Sequence, residues 1–474
     1  MDREVRQEID RVFDIQRDYR WTAKVSSAAH RRSMLERLRA GVLRHADRAV
    51  EALHADLGKP AGDTQAHAEI NNIVDHIDRA LEELEGWMAP VDLGPSPDYP
   101  GASVRLEYEA RGVVLIFGPW NFPLQLALQP LVPAIAAGNT AIVKPNEMCP
   151  ETSKVTAAII REVFDEREVS AIEGGVDVAN ALLEKPIDHV FFTGSPTVGK
   201  VVMAAAAKHL ASVTLELGGK CPGIVDGTTD LVEVAEIVAE GRQYNSGQIC
   251  LAVDHLWIKE DLRDDFLGFY WEAIDRKHYR DGAFDQSTIS RMVDKRNSDR
   301  VQAYIDDAVA RGAVLPRGGR ATDGSGSFEP AVLLDVPLDA RVMQEEIFGP
   351  VLPVLTYRDV TEVTGFLQQA QKPLAMYIFS EDNAFVDTVL RGTSSGGVTV
   401  NGWASHWGDP ALPFGGVNHS GVGSYHGLFG FKELSHERAI IVHSGKDDNG
   451  ERSAWDGRLI VPPTTSVEPA SADK

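Results

Sequence analysis

Between Gly112 and Val143 the chain carries no charged residue: GVVLIFGPWNFPLQLALQPLVPAIAAGNTAIV. So apolar a run belongs in a membrane or inside a large protein. Pro119, Pro123, Pro130 and Pro133 interrupt it, and Asn121, Gln125 and Gln129 punctuate it. Lipid offers no water to the backbone groups that such prolines free, and a span needs roughly 20 predominantly apolar residues. The stretch is therefore expected to form a strand, a turn and a helix within a core, not a membrane span. With 474 residues, 43% hydrophobic and 25% charged, the chain is long enough to bury it. Asn121 inside that core then requires a reason.

Around this stretch, strands and helices alternate. NTAIVK, VSAIEG, DHVFFTG and ASVTLEL read as strands, and ETSKVTAAIIREVF, ANALLEK and SPTVGKVVMAAAAKHL as helices. Repeated βαβ units imply an α/β fold with a doubly wound parallel sheet and ligands at the carboxyl ends of its strands. Residues 3–90 carry apolar residues at helical spacing. A Pro/Gly linker, LGPSPDYPGA, leads to SVRLEYEA, which alternates like an exposed strand. A second α/β region follows Gly218, with RNSDRVQAYIDDAVARGA as a helix and residues 310–328 as a flexible crossing. From Gly445 the sequence reads as an irregular polar tail, and no internal repeat is visible.

The net charge is -23, from 47 basic and 70 acidic residues. This argues against a nucleic-acid partner, because such binding rests on Lys and Arg neutralising phosphates. Cys149, Cys221 and Cys250 are the three cysteines, without CxxC spacing. They make neither a disulfide framework nor a metal site. The N-terminus is charged from its second residue and shows no secretory signal. A reducing cytoplasm is the expected compartment and suits a free thiol.

Taken singly, the polar motifs are ambiguous. In FFTGSPTVGK, Gly194 and Gly199 would let backbone approach a ligand at a helix N-terminus, or the segment is a plain βα turn. Lys144 and Glu147 end a strand and could grip ribose or phosphate, or simply be solvated. Glu216, in an apolar strand before Gly218 and Gly219, would be a base of raised pKa or a cap for backbone amides. Cys250 closes YNSGQIC. A free thiol near pKa 8.5 is only a few per cent thiolate at neutrality, so a nucleophile there needs a lowered pKa or a base. Asn121 in GPWNFP is the kind of amide an oxyanion hole uses.

Together, GPWNFP, VKPNE, FTGSPTVGK, LELGGK, YNSGQIC, QEEIFGPVLPV and LPFGGVNHSGVGSYHG resemble the aldehyde dehydrogenase superfamily from about residue 20 to 440. The 34-residue step from Glu216 to Cys250 fits that family, and the YHG–GF–SH run is similar to its class-3 branch of fatty, aromatic and coniferyl aldehyde enzymes. The resemblance implies a Rossmann-like cofactor domain of residues 1–86 and 110–217 and an α/β catalytic domain of residues 218–405. Residues 87–109 and 406–474 would form a bridging β-hairpin arm, oligomerisation segment and tail, making a homodimer. It implies Cys250 as nucleophile, Glu216 as hydrolytic base and Asn121, with the Cys250 N–H, as oxyanion donors. Lys144, Glu147, Gly194, Ser195, Gly199, Glu346 and Phe348 would hold NAD, with NADP possible although Glu147 repels a 2′-phosphate. Trp120, Phe122, Gln125, Leu126 and Phe414 would line a pocket for an apolar aldehyde, with Trp403, His406 and Trp407 near its mouth. Cys149 and Cys221 match no catalytic position. Asn418, where the family has Gly, and Leu434, where an aromatic is common, depart from the pattern without touching the catalytic set. The alternatives are a dehydrogenase that passes its thioester to coenzyme A, which Glu216 argues against, a thiol esterase and a catalytically silent binding protein.

Overall fold

The structure, a computed structural model, describes residues 1–60, 64–99, 101–322 and 326–443. The expected tail from Gly445 lies outside the described residues. Four helices, Arg3–Lys24, Ala28–Arg44, Ala46–Leu57 and Thr64–Met88, open the chain as the periodicity predicts. The side chains of Asp2 and Ser27 cap the first two by accepting from the amides of Glu4 and His30.

The chain forms two compact units. The smaller comprises Ala89–Tyr108 and the segment from Glu437. Its strands β1 (Val91–Pro95) and β2 (Ala102–Ala110) pair antiparallel. The larger unit comprises Met1–Met88 and Glu109–His436 and holds two six-stranded sheets. In the first, β3 (Val113–Phe117), β4 (Thr140–Lys144), β5 (Val169–Ala171), β6 (His189–Thr193) and β7 (Ser212–Glu216) run parallel in the order β7-β6-β3-β4-β5. Every residue of β3 and β4 is buried, as strands covered on both faces require. The charge-free stretch is therefore β3, two short helices (Gln125–Leu128 and Leu131–Ala137) and β4. No helix among the described residues is long and apolar enough to cross a membrane.

The second sheet is parallel throughout. It contains β8 (Pro222–Val225) and β9 (His255–Lys259) and, beyond a short hairpin of β10 (Tyr279–Arg280) and β11 (Ala283–Phe284), β12 (Ala331–Leu334), β13 (Val351–Tyr357), β14 (Ala375–Phe379) and β15 (Gly397–Val400). Their order is β12-β13-β9-β8-β14-β15. β16 (Gly421–Val422) returns to pair antiparallel with β7, and β17 (Ser435–His443) lies beside β2. Two expectations change here. Residues 406–436 group with the larger unit instead of the arm, because β16 joins the first sheet. The described part of the 310–328 crossing is packed, not loose: Phe328 is fully buried and pairs with Ala321, and Val314 pairs with Leu334.

In the first sheet the strand order reverses between β3 and β6. Loops leaving the carboxyl ends of two such strands diverge to opposite faces and leave a crevice. Trp120 and Asn121 follow β3, and Gly194 and Ser195 follow β6. Lys144 and Glu216 are the last residues of β4 and β7. The exit from β7 runs through Gly218 and Gly219 into β8, so the carboxyl edge of one sheet leads to the amino edge of the other. Cys250 lies at that second edge, just before β9.

Candidate active site

The turn before Cys250 is strained. Asn245, Ser246 and Gly247 have φ of 51°, 55° and 69°, three left-handed residues in succession. For the two that carry a Cβ this conformation costs roughly 1–2 kcal/mol each. Buried side chains over-determine it. Asn245 Nδ2 donates to the carbonyls of Asn121 (3.0 Å) and Gln248 (3.2 Å), and the Ser246 hydroxyl to that of Ser290. Gln248 Nε2 donates to Asn245 (3.1 Å) and Arg291 (2.9 Å), while its Oε1 accepts from the Val293 amide (3.0 Å). The fully buried Arg242 donates to the carbonyls of Gly247 (3.3 Å), Val253 (3.0 Å) and Gly349. Strain held this firmly is characteristic of functional sites.

Asn121 is joined to this turn. Its Nδ2 donates to the Gln248 carbonyl at 3.1 Å, two residues before Cys250. Cys250 is partly accessible, whereas Cys149 and Cys221 are buried. The Cys221 thiol donates to the Cys250 carbonyl at 3.2 Å, and the Cys149 thiol to the Trp120 carbonyl at 3.2 Å, so both serve as packing. Burial pushes the Cys250 thiol well up, and the charges of Glu346, Cys221 and Glu216 push it further. The environment therefore does not lower the thiol's pKa.

Glu216 is buried, and neither of its carboxylate oxygens has a hydrogen-bond partner among the described residues. It is thus not a cap for backbone amides. Burial pushes it well above the usual carboxylate range, aided by Glu433. Glu433 itself accepts from the Thr214 hydroxyl at 2.8 Å. Tyr425 closes the cluster: burial holds its phenol up, helped by the charges of Glu216 and Cys250. Asn418 has φ of 55°, the left-handed geometry that Asn tolerates, and its Oδ1 accepts from Lys372 Nζ at 3.0 Å. This turn is closer to the site than expected. It bridges to Gly421, which pairs with Glu216, and Ser420 accepts from the Leu217 amide at 3.1 Å.

Glu346 and Phe348 lie across the Gly218–Gly219 exit. A Cβ on Gly218 would collide with the Glu346 carboxylate. Glu346 Oε1 has no partner, and burial, then Asp254, pushes the group up to about 8. Phe348 has φ of 47°, and its ring lies 5.2 Å from that of Trp120, edge to face. Arg300 holds this segment through the carbonyls of Glu346 (3.3 Å), Ile347 (2.8 Å) and Phe348 (3.3 Å). Lys144 and Glu147 pair with each other. Ser195 caps the helix Pro196–Ala207, accepting from the Val198 amide at 3.4 Å. The two glycines of that motif are closely packed. A Cβ on Gly199 would lie 2.9 Å from a Leu217 methyl, and one on Gly194 2.6 Å from the Phe192 ring. Their missing side chains accommodate these protein neighbours.

Three of the expected pocket residues, Phe122, Phe414 and Gln125, fall into two aromatic groups. Phe122 stacks on Tyr244 at 6.1 Å, and Tyr244 meets Trp403 at 5.4 Å, whose Nε1 donates to the Leu251 carbonyl at 2.8 Å. Phe414 stacks on His426 at 5.3 Å, with Trp407 6.0 Å from the same imidazole. Gln125 joins the second group by donating to Gln129 Oε1 at 2.8 Å, leaving the Gln129 amide to face His76 (2.8 Å) and His426 (3.0 Å). Leu126 is buried, and His406 bonds Thr399 at 2.8 Å. Tyr244, Tyr425 and His426 belong to these groups although nothing in their motifs assigns them a role. Their neighbours are distant in sequence, so no local signal marks them.

The chain matches the aldehyde dehydrogenase family over residues 3–440. This chain belongs to the aldehyde dehydrogenase family. The Bacillus subtilis protein AldX is 43% identical over 447 residues, 94% of this chain and 100% of its own. The coniferyl aldehyde dehydrogenase of a Pseudomonas species is 37% identical, covering 87% of this chain and 86% of its own. The substrate-bound structure of Staphylococcus aureus AldH superposes with a TM-score of 0.88 at 34% identity, covering 95% of this chain and 97% of that one. As an aldehyde dehydrogenase, the protein is an NAD(P)-dependent oxidoreductase. The residues present fit such a cofactor: a capped helix N-terminus follows β6, the Lys144 ammonium ends β4, and the buried Glu346 Oε1 lacks a partner.

Proposed function

We propose that the protein oxidises an apolar aldehyde to the free carboxylic acid, with Cys250 as nucleophile, Asn121 as oxyanion donor and Glu216 as base. The observation that carries this reading is the bond from Asn121 Nδ2 to the Gln248 carbonyl (3.1 Å), which ties the amide of the charge-free stretch to the turn bearing Cys250. A thiol that rests protonated must lose its proton as it attacks. Glu216, whose charge is felt at that thiol and whose own proton affinity is raised, is the acceptor at hand. Attack gives a thiohemiacetal. The Asn121 amide carries two hydrogens and Gln248 takes one, so the other, with the Cys250 N–H, is available to the oxyanion. One such donor is worth about 3 kcal/mol in the transition state. Bound NAD(P) supplies the hydride acceptor. Cys250 then holds the acyl group as a thioester; Glu216 gives the thiol's proton up to solvent, and the freed carboxylate takes a proton from the water that releases the acid.

The aromatic groups around Phe122 and Phe414 favour an apolar aldehyde, aliphatic or aromatic, by area burial and stacking. Relatives named for coniferyl aldehyde and for 4,4'-diaponeurosporen-aldehyde support the same class. Glu147 favours NAD by repelling a 2′-phosphate, and its pairing with Lys144 softens that preference. Residues 1–86 and 110–217 would bind the cofactor and 218–405 carry the nucleophile, and the β1–β2 arm would serve a homodimer.

The test is turnover with NAD and with NADP across aliphatic and aromatic aldehydes, without coenzyme A, in H₂18O. Free acid carrying solvent oxygen, and no turnover by Cys250→Ser, is the expected result. A requirement for coenzyme A would remove the Glu216 role. Normal turnover by Cys250→Ser would overturn the mechanism.

A further inference from the structure

Two fully buried charges lie against the Asn121 loop, and the mechanism above leaves them without a task. Lys59 follows the helix Ala46–Leu57, Glu69 lies in the helix Thr64–Met88, and both side chains are 0% exposed. Lys59 Nζ donates to Glu69 Oε1 at 2.5 Å and to the Asn121 carbonyl at 3.1 Å, and it sits 4.2 Å from the centroid of the Phe122 ring. Glu69 Oε2 accepts from the backbone amides of Leu124 (3.1 Å) and Gln125 (3.0 Å). The pair therefore grips the loop on both sides of Phe122.

Stability alone does not account for this arrangement. Burying two ions costs several kcal/mol each, and well-packed apolar replacements are often as stable or more so. An apolar pair would lack a donor aimed at the Asn121 carbonyl and an acceptor aimed at two consecutive amides. That carbonyl also accepts from Asn245 Nδ2, in the strained turn, while the Asn121 side chain donates to Gln248. Where the free N–H of Asn121 points depends on how its backbone is held, and Lys59 and Asn245 both hold that backbone through the same carbonyl.

We propose that Lys59 and Glu69 are positioning residues for the oxyanion donor, setting Asn121 against the Cys250 turn through the Asn121 carbonyl and the Leu124 and Gln125 amides. The inference rests on the role given above to Asn121. The experiment is a double-mutant cycle on the full-length protein. Lys59→Met/Glu69→Leu removes both charges together, so that neither is left unpaired. Glu69→Gln keeps the volume and loses one acceptor, and serves if the first variant does not fold. Each is combined with Asn121→Ala. The readouts are melting temperature, NAD(P)H affinity by fluorescence titration, KM, and kcat per titrated active site.

A displacement of about 1 Å costs on the order of 100-fold, so kcat is expected to fall between about 10- and 100-fold with cofactor affinity unchanged. Adding Asn121→Ala is expected to cause little loss beyond that of Asn121→Ala alone. Wild-type kcat in a folded ion-pair variant would overturn the inference, as would losses that multiply with those of Asn121→Ala. Wild-type turnover by Asn121→Ala itself would instead remove the Asn121 role, and this inference with it.

Discussion

Gly247→Ala is the substitution whose consequence the structure specifies most closely. Gly247 has φ of 69°, so an alanine there carries the left-handed penalty of roughly 1–2 kcal/mol. Its Cβ would overlap the Gly349 carbonyl oxygen and lie 2.5 Å from Arg242 Nη2. Neither neighbour can step aside: one is backbone, and the other is fixed on three carbonyls in the core. Overpacking of this kind adds about 1–3 kcal/mol, for a total of about 2–5 kcal/mol. Relief must come from the turn, and movement there carries Gln248 and with it the Asn121 amide. A shift of about 1 Å is expected to lower kcat on the order of 100-fold. Gly268→Ala, in the helix Arg263–His278, is the control. Nothing lies within 4 Å of its Cβ, and alanine there is expected to stabilise by roughly 0.5–1 kcal/mol. Melting curves and turnover of both variants, measured side by side, decide the matter. Wild-type kcat and melting temperature in Gly247→Ala would refute the account of the turn.

Alkylation of the apo-protein's Cys250 by iodoacetamide should still be accelerating at pH 9, because burial, with Glu346 next, holds the thiol up. Glu346→Gln should speed it above about pH 8, where Glu346 is ionised, and a plateau near pH 7 in the unaltered protein would contradict this. Glu346 is pushed up to about 8 from an ordinary 4.5, so between those values the folded protein binds a proton that the unfolded chain has released. Apo stability should therefore fall as pH rises through that window, and Glu346→Gln should flatten the dependence in pH-resolved melting. Glu147→Gln should raise kcat/KM with NADP relative to NAD, since it removes the charge that would face a 2′-phosphate; an unchanged ratio would separate Glu147 from cofactor choice.

Much of this was legible in the sequence because it is local. Continuous apolar runs gave β3 and β4, and the punctuated charge-free stretch gave a buried strand, turn and helix pair. Motifs at strand ends located the crevice. Other features depend on partners far along the chain. Asn245 and Ser246 adopt a glycine-like backbone only because side chains and carbonyls from residues 121 to 291 hold them. Nothing beside Lys59 or Glu69 in the sequence marks them, because their partners are the Asn121 carbonyl and the Leu124 and Gln125 amides. The close packing of Gly194 on the Phe192 ring and of Gly199 on the Leu217 methyls likewise depends on the folded chain. The raised thiol of Cys250 could not be read from YNSGQIC, since burial and three groups outside that stretch produce it.

The intact mass of Glu216→Gln, mixed with an aldehyde and NAD and followed by peptide mapping, tests the central claim most directly. The variant lacks both the acceptor for the thiol's proton and the base for water, so its acyl-enzyme should form slowly and then persist, with one acyl group on Cys250 for each reduced cofactor, while the unaltered protein shows none in the steady state. Undiminished turnover without an adduct, or an acyl group on any residue other than Cys250, would contradict the account.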